Sequence, residues 1–342
     1  MMRCARWSLA FLWMLQGLAA IACAQTPKAP NTLWVAVGDH GRRISSTDGI
    51  LWANDVLLPE SVPASERTLR SVCTDGTRFV AAGGGPTTGL LLASSDGRNW
   101  EPLASPAPAL AAIAATSASG SQPGTFVAAH PLGLIVSSDG HHFDHGARFP
   151  VTGHSSVLQM AQGNGEGGPR FVILGSVSLG GLTSFWRAAT EDGTTLASFT
   201  QDAPPASSIA YGSGHFVAVG PAGLLETSHD GHQWQRIPTD PAVDFQQVLW
   251  SGRRFLAIGP GQAWSSDDGL AWNRAPHSPS HLLLAISETS ESPDLHAWSA
   301  SEGSLFVSTD LLTWKPANVA FPLSAPLRAA ASLRLPHPLR QP

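Results

Sequence analysis

"FVAVGPAGLLETSHDGHQW" runs from Phe216 to Trp234, and "FLAIGPGQAWSSDDGLAW" runs from Phe255 to Trp272. Each opens on an aromatic residue and an apolar run ending in Gly-Pro. Each closes on Asp-Gly-x-x-Trp, with Asp230 and Asp268 lying 38 residues apart. The same phrase recurs as "WVAVGDHGRRISSTDGILW" (34–52), "FVAAGGGPTTGLLLASSDGRNW" (79–100) and "FVAAHPLGLIVSSDGHHF" (126–143). A stretched copy, "FVILGSVSLGGLTSFWRAATEDGTTL", covers 171–196, and "LHAWSASEGSLFVSTDLLTW" (295–314) has lost its glycine. The recurring aspartates, Asp48, Asp96, Asp139, Asp192, Asp230, Asp268 and Asp310, are spaced by 48, 43, 53, 38, 38 and 42 residues.

That period matches one four-stranded propeller blade, about 40–45 residues. In the second unit "TLRSVCT" reads as the innermost strand, followed outward by "RFVAAGG", "GLLLASS" and "NWEPLAS". A single four-stranded sheet cannot bury both of its faces, so the repeats must stack radially. Burial on both faces also explains apolar runs in place of clean alternation. The sequence therefore predicts an all-β, seven-bladed propeller of four-stranded antiparallel blades over residues 32–335. The first copy begins on a second strand, whereas the chain runs on past the last copy. Its piece "PLRAAASL" (326–333) resembles "TLRSVCT", so residues near 326–333 are expected to pair with 33–38 and close the ring. Residues 336–342 are left as a tail.

Every position of the repeated turn has a mechanical reading. Ser and Asp side chains can satisfy turn N–H groups, Gly supplies positive φ, and the aromatic folds back against the sheets. The residues are Ser46, Asp48, Gly49 and Trp52; Ser94, Asp96, Gly97 and Trp100; and Ser137, Asp139, Gly140 and Phe143. Asp192 and Gly193 follow, then Ser228, Asp230, Gly231 and Trp234; Asp268, Gly269 and Trp272; and Ser308, Asp310 and Trp314. These turns resemble the Asp-box, or BNR, repeat, one residue tighter than its usual Ser-x-Asp-x-Gly-x-Thr-Trp. The chain is similar to bacterial secreted propellers and, more distantly, to sialidases, sortilin-type receptors and a photosystem II assembly factor. The resemblance implies a propeller fold with the Asp boxes on the face opposite the usual binding funnel.

Composition narrows the class. Hydrophobic residues make up 43% of the 342, enough for a large core and too many for a disordered chain. A formal charge of −5 with no basic stripe argues against nucleic acid. The opening "MMRCARWSLAFLWMLQGLAAIACAQ" reads as a secretory signal, with Arg3 and Arg6 before an apolar run and Ala22-Cys23-Ala24 as the cleavage site. Residues 25–31 are then a linker, the mature chain is periplasmic or secreted without a membrane span, and its charge falls to −7 as two arginines leave. The alternative is lipidation at Cys23. After cleavage Cys73 alone remains, so no disulfide can form within one mature chain, and Cys73 reads as a small buried hydrophobe.

An enzymatic reading has to find its groups. The single tyrosine, Tyr211, falls near the end of an innermost strand on the Asp-box side. Arg236-Ile237-Pro238 matches a sialidase motif but follows the fifth box, where that family's motif normally precedes the first. Glycosidase chemistry would draw two carboxylates from Asp39, Glu60, Glu66, Asp202, Asp240, Asp244 and Glu302. His141, His142 and His145 sit in and beside the third Asp box, without metal-ligand spacing, and no phosphate-binding loop precedes a helix. No cofactor or metal is expected. The favoured expectation is a monomeric, non-enzymatic interaction platform for an envelope protein or glycan, with glycoside hydrolysis as the alternative. Its contact residues would be Asp39, His40, Arg42, Arg43, Glu66, Arg67, Arg70, His130, Asp244 and Glu302, on loops where binding chemistry concentrates.

Overall fold

Phe79, Phe126, Phe171, Phe216 and Phe255 stand at or near the start of a second strand in five successive repeats, and each is fully buried. They mark the blades of a ring. A computed structural model describes residues 32–120, 122–165, 167–275, 283–287, 296–301, 304–319 and 326–334. The expected leader (1–24), linker (25–31), Cys23, Glu302 and the tail (336–342) lie outside the described residues.

The strands form seven sheets, six four-stranded and one five-stranded, and the ring is a seven-bladed propeller. From blade 1 to blade 7 the innermost strands are Leu327–Arg334, Leu69–Thr74, Ala112–Ala115, His154–Gly165, Ser208–Gly212, Gln247–Trp250 and Ala285–Ser287. The ring closes where the repeat pattern left blade 1 short of a strand. Leu327–Arg334 runs antiparallel to Thr32–Gly38, pairing Leu33 with Leu333 and Val35 with Ala331. A second crossing was not foreseen: Asn318–Val319 leaves blade 7 and pairs in parallel with Leu51–Trp52, the outer strand of blade 1. The chain end thus embraces blade 1 at both edges.

Apolar side chains gather between blades. The cluster of Leu33, Val35, Val37, Leu69, Phe79 and Leu333 fills the gap between blades 1 and 2. That of Trp34, Ile44, Trp52, Trp298 and Leu305 fills the gap between blades 7 and 1. Toward the axis each innermost strand would present an unpaired edge, and at four junctions a side chain bonds to the backbone of the neighbouring blade's innermost strand. Ser71 Oγ accepts from Ile113 N–H (3.2 Å), and Ser208 Oγ accepts from Val248 N–H (3.0 Å). Gln159 Oε1 accepts from Ile209 N–H at 2.8 Å, and the Gln247 amide bonds both N–H and C=O of Leu283 at 2.9 and 2.7 Å. These bonds join blades 2 to 3, 5 to 6, 4 to 5 and 6 to 7.

The Ser-x-Asp-Gly turns connect third and fourth strands, all on one face. In the fifth, Ser228 Oγ accepts from Gly231 N–H (2.8 Å), while Asp230 Oδ1 accepts from the N–H groups of His232 and Gln233 (2.8 Å each). The Trp234 indole N–H closes the loop onto Gly231 C=O at 3.2 Å, and Trp52, Trp100 and Trp272 do the same in their turns. Thr190 takes the serine's place in the fourth turn, accepting from Gly193 N–H at 2.8 Å. In the seventh, Leu311 occupies the glycine position at φ +61°, and its side chain is buried in the core. Gly49, at φ +72°, has a second reason to lack a side chain: a Cβ there would stand 2.6 Å from Trp298.

These bonds tie stability to pH. In Asp268 the N–H groups of Ala271 and Leu270, and in Asp310 those of Thr313 and Leu312, hold the carboxyl below its ordinary value. At Asp96, Asp139, Asp192 and Asp230 burial is the largest single influence and would raise it, but the turn's donors together outweigh burial and again depress it. A carboxyl depressed in the folded state contributes stability above its unfolded value, about 3.9, and loses it as pH falls through the folded value. Thermal melts should therefore show no carboxylate-linked change in Tm from neutral pH down to about 5, and a progressive fall below about pH 4. Asp230→Ala should lower Tm at neutral pH and flatten that acid limb.

Candidate functional site at the channel entrance

The face opposite these turns carries the second-to-third-strand turns and the crossovers between blades. At the channel mouth, blades 1 and 2 present two arginines at matching positions of adjacent innermost strands: Arg328 follows Leu327, and Arg70 follows Leu69. Asp39 stands in the turn after Thr32–Gly38 and receives Arg328 through two bonds, Nε to Oδ1 at 2.5 Å and Nη2 to Oδ2 at 2.8 Å. The Arg328 bond, outweighing burial and helped by Arg328's charge and the Thr68 hydroxyl, holds the Asp39 carboxyl below the usual range. Arg328 is raised in turn by Asp39.

Arg70 Nη1 donates to Gly84 C=O at 2.5 Å. Burial lowers its pKa, and the charge of Arg328 lowers it further, so the two guanidinium groups share one electrostatic environment. Glu66 is 7% exposed and ties the crossover to the blade 2 turn. Its carboxylate accepts the Thr88 hydroxyl (2.7 Å), the Thr88 N–H (3.0 Å) and the Thr87 hydroxyl (3.0 Å). The Thr88 hydroxyl is the main reason its pKa falls to about 2. Arg67 is half-buried beside Glu66, with Nε making no hydrogen bond within the described residues.

The sequence placed ten residues on this face, and the nine among the described residues do not converge on one point. Asp39, Glu66 and Arg70 gather at the entrance between blades 1 and 2, Arg67 follows Glu66 in the chain, and exposed His40 neighbours Asp39. Arg42 and Arg43 lie beneath the surface, 1% and 5% exposed. Arg42 forms an ion pair with Asp55 in the outer strand of its own blade. Arg43, on the blade face that packs toward blade 2, is lowered in pKa by burial. His130, on blade 3, is lowered by burial and by the charges of His145 and Arg148. Asp244 braces the turn of blade 5, accepting from Ala222 N–H at 2.9 Å. Asp240 likewise caps its own loop through Ala242 N–H at 2.9 Å. Arg328 is the residue that sequence reasoning missed, although the match of "PLR" to "TLR" carried it.

Two remaining candidates have structural partners. Tyr211 donates to Asn164 C=O of blade 4 at 2.9 Å and packs on Phe216. Burial raises the Cys73 thiol far above the range in which a thiolate could act. Among the described residues, every carboxyl group with a perturbed pKa is shifted downward.

No known family profile matches the chain, and no curated sequence is similar to it. Solved structures do match. One of YCF48 bound to D1 peptide superimposes with a TM-score of 0.53 and 14% identity, covering 90% of this chain and 92% of that one. The chain is a β-propeller. At that identity the likeness is one of fold. A nidogen/laminin complex (TM-score 0.47, 8% identity, 88% and 98% covered) and the Pan2 WD40 domain of Neurospora crassa (0.47, 11%, 71% and 72%) also align with the propeller. No helix among the described residues is long and apolar enough to cross a membrane.

Proposed function

We propose that this chain is an exported Asp-box propeller that serves as a rigid interaction platform in the bacterial envelope, without catalysis. One observation carries the reading: Arg70 and Arg328 stand on adjacent innermost strands, held in place by Asp39 and by backbone carbonyls. Binding groups on strands rather than on free loops cost little ordering entropy. Guanidinium forks suit carboxylates and backbone carbonyls of a bound polypeptide. A solved propeller of this fold, YCF48, is itself seen with a bound peptide, which is compatible with the same use here. Export rests on residues 1–24, whose basic start, apolar run and Ala22-Cys23-Ala24 fit a cleaved leader, with lipidation at Cys23 as the variant form.

Asp39 and Glu66 are held below the ordinary carboxylate range by their hydrogen-bond partners, which suits neither to be the proton donor of a glycoside hydrolase. The test is a panel of fluorogenic glycosides and sialosides, offered to the purified mature protein. No turnover above buffer is expected. Turnover lost on substitution of a single carboxylate, such as Asp39→Asn or Asp244→Asn, would overturn the reading.

A further inference from the structure

The arginine entrance is one sector of a ring of equivalent positions. In blades 1, 2 and 4 the register between innermost and second strands slips by one residue at the channel mouth. The residue left over is Arg328, Arg70 and Leu158, respectively. A bulge of this kind re-aims the side chain it carries. The residue before it, Leu327, Leu69 or Val157, is buried between blades, whereas Leu158 is 41% exposed. The matching position, one residue ahead of the strand ladder, is Ala111 in blade 3 and Ser207 and Gln246 in blades 5 and 6. In blade 7 it is Leu284, which packs on the core between blades 7 and 1. The mouth is therefore basic at blades 1 and 2, bare at blade 3 and apolar at blade 4.

Blade 4 also stands above its neighbours on this face. From its buried phenylalanine the second strand runs to Gly84, His130, Gly220 and Gly259 in blades 2, 3, 5 and 6, five or six residues. In blade 4 it runs from Phe171 to Leu179, nine residues. The added length, at about 3.4 Å per residue, raises the hairpin by about 10–14 Å. Gly180 and Gly181, at φ +60° and +83°, form the two-residue turn that joins Leu179 to Leu182. The blade's outer strand pairs only with Trp186–Ala189, so among the described residues Leu182, Thr183 and Ser184 have no strand on their outer side. The Ser178 and Thr183 hydroxyls bond to each other at 2.9 Å, which leaves the leucines as what the tip presents. Leu179 and Leu182 are 64% and 79% exposed, and Leu132, in the matching turn of blade 3, is 63% exposed.

Large aliphatic side chains gathered on one exposed face mark an interaction surface. These leucines are continuous, across blade 3, with the arginine pair. Arg328 gives Nε and Nη2 to Asp39, and Arg70 gives Nη1 to the Gly84 and Leu110 carbonyls, so one Nη group of each stands outside these bonds. Exposed charges beside the leucines are of both signs, Arg148 ending the outer strand of blade 3 and Asp202 following that of blade 4. Such a mixture makes no field to hold an anionic bilayer. An extended polypeptide meets both halves of the surface at once. It carries carboxylates that suit guanidinium groups and aliphatic side chains a few residues away, at about 3.3 Å per residue.

We infer that the arc from Arg328 and Arg70 to Leu158, Leu179 and Leu182 is one docking surface for an extended polypeptide segment that combines an acidic residue with aliphatic or aromatic ones. The inference rests on the platform reading and adds the apolar half of its contact.

The test pans a phage library of random dodecapeptides on the purified mature protein, then measures the enriched peptides by fluorescence anisotropy. They should combine Asp or Glu with Leu, Ile, Val or Phe. Leu158→Ser/Leu182→Ser should weaken their binding about tenfold or more, and Arg70→Glu should do the same. Panning repeated on the leucine variant should return acidic peptides without the apolar residues. Leu312→Ser, at a leucine 62% exposed on the opposite face, should change nothing. Thermal melts check folding, and Leu179→Ser/Leu182→Ser at the hairpin tip supplies the same comparison if the Leu158 variant does not fold. Acidic peptides selected without apolar preference, or full binding by the leucine variant, would overturn the arc and leave the platform reading standing. No enriched peptide at all would overturn both. Pelleting with phosphatidylcholine–phosphatidylglycerol vesicles, or dimerisation in sedimentation, either of them lost in Leu179→Ser/Leu182→Ser, would give the leucines another occupant and overturn the assignment.

Discussion

Deleting residues 320–342 should abolish the cooperative thermal transition of this protein. The truncated chain keeps Asn318–Val319 on the outer edge of blade 1 but loses Leu327–Arg334 from its inner edge. Leu327 and Leu333, 6% and 2% exposed, leave the two clusters that flank blade 1. Removing two buried leucines forfeits about 3–6 kcal/mol of transfer free energy. The loss is larger than that, because Trp34, Ala36 and Leu69 lose cover and the Thr32–Gly38 edge is left unpaired. Against a total stability of about 5–15 kcal/mol, little of the folded population survives. Loss of soluble expression or of a sigmoidal melt agrees with this, and an unchanged melting curve contradicts it.

The second large effect is expected between blades 4 and 5. Arg187 and Glu226, 6% and 7% exposed, form an ion pair at 2.8 Å across the gap. The guanidinium carbon lies 3.8 Å from the centre of the Trp234 ring. Burial lowers the Arg187 pKa, and Glu226 opposes that shift. Glu226→Ala leaves a buried cation without its carboxylate, a loss of about 3–5 kcal/mol. In a protein of this size that is roughly 10 °C in Tm. The double variant Arg187→Met/Glu226→Leu should recover most of the loss, since a well-packed apolar pair often replaces a buried ion pair without penalty. Equal destabilisation in single and double variants would show that the pair acts through shape rather than charge.

How much of this was legible before the structure depends on how local the cause is. The Asp-Gly turns were readable because each is closed by bonds within a few residues: serine to glycine, aspartate to the next two N–H groups, tryptophan to the glycine carbonyl. Ring closure was readable because "PLRAAASL" has the same pattern as the innermost strand of blade 2. The parallel crossing of Asn318–Val319 was not, since two residues carry no periodicity. Thr190 was overlooked because a hydroxyl two residues before Asp192 does the serine's work under another name.

The site was less legible because it depends on what lies across a gap. "GRRISS" gives no sign that Arg42 turns to Asp55 and that Arg43 is buried, whereas Arg70 stands within the charge field of Arg328 and Asp39 at the entrance. Arg328 belongs to the C-terminal strand and joins the site only through ring closure. The edge-covering serines and glutamines, Ser71, Gln159, Ser208 and Gln247, look like ordinary polar residues in strands until the neighbouring blade is in place.

The platform reading can be tested directly in cells. A photo-crosslinking residue is placed at exposed His40, beside Asp39 at the channel mouth, and adducts are collected from intact cells with and without Arg67→Glu/Arg70→Glu. A discrete polypeptide adduct that disappears in the charge-reversed variant, while the Tm is retained, is the expected result. Irradiation that yields no discrete adduct, or the same adduct at equal strength in both proteins, would contradict the proposal that this arginine-lined entrance is a binding face.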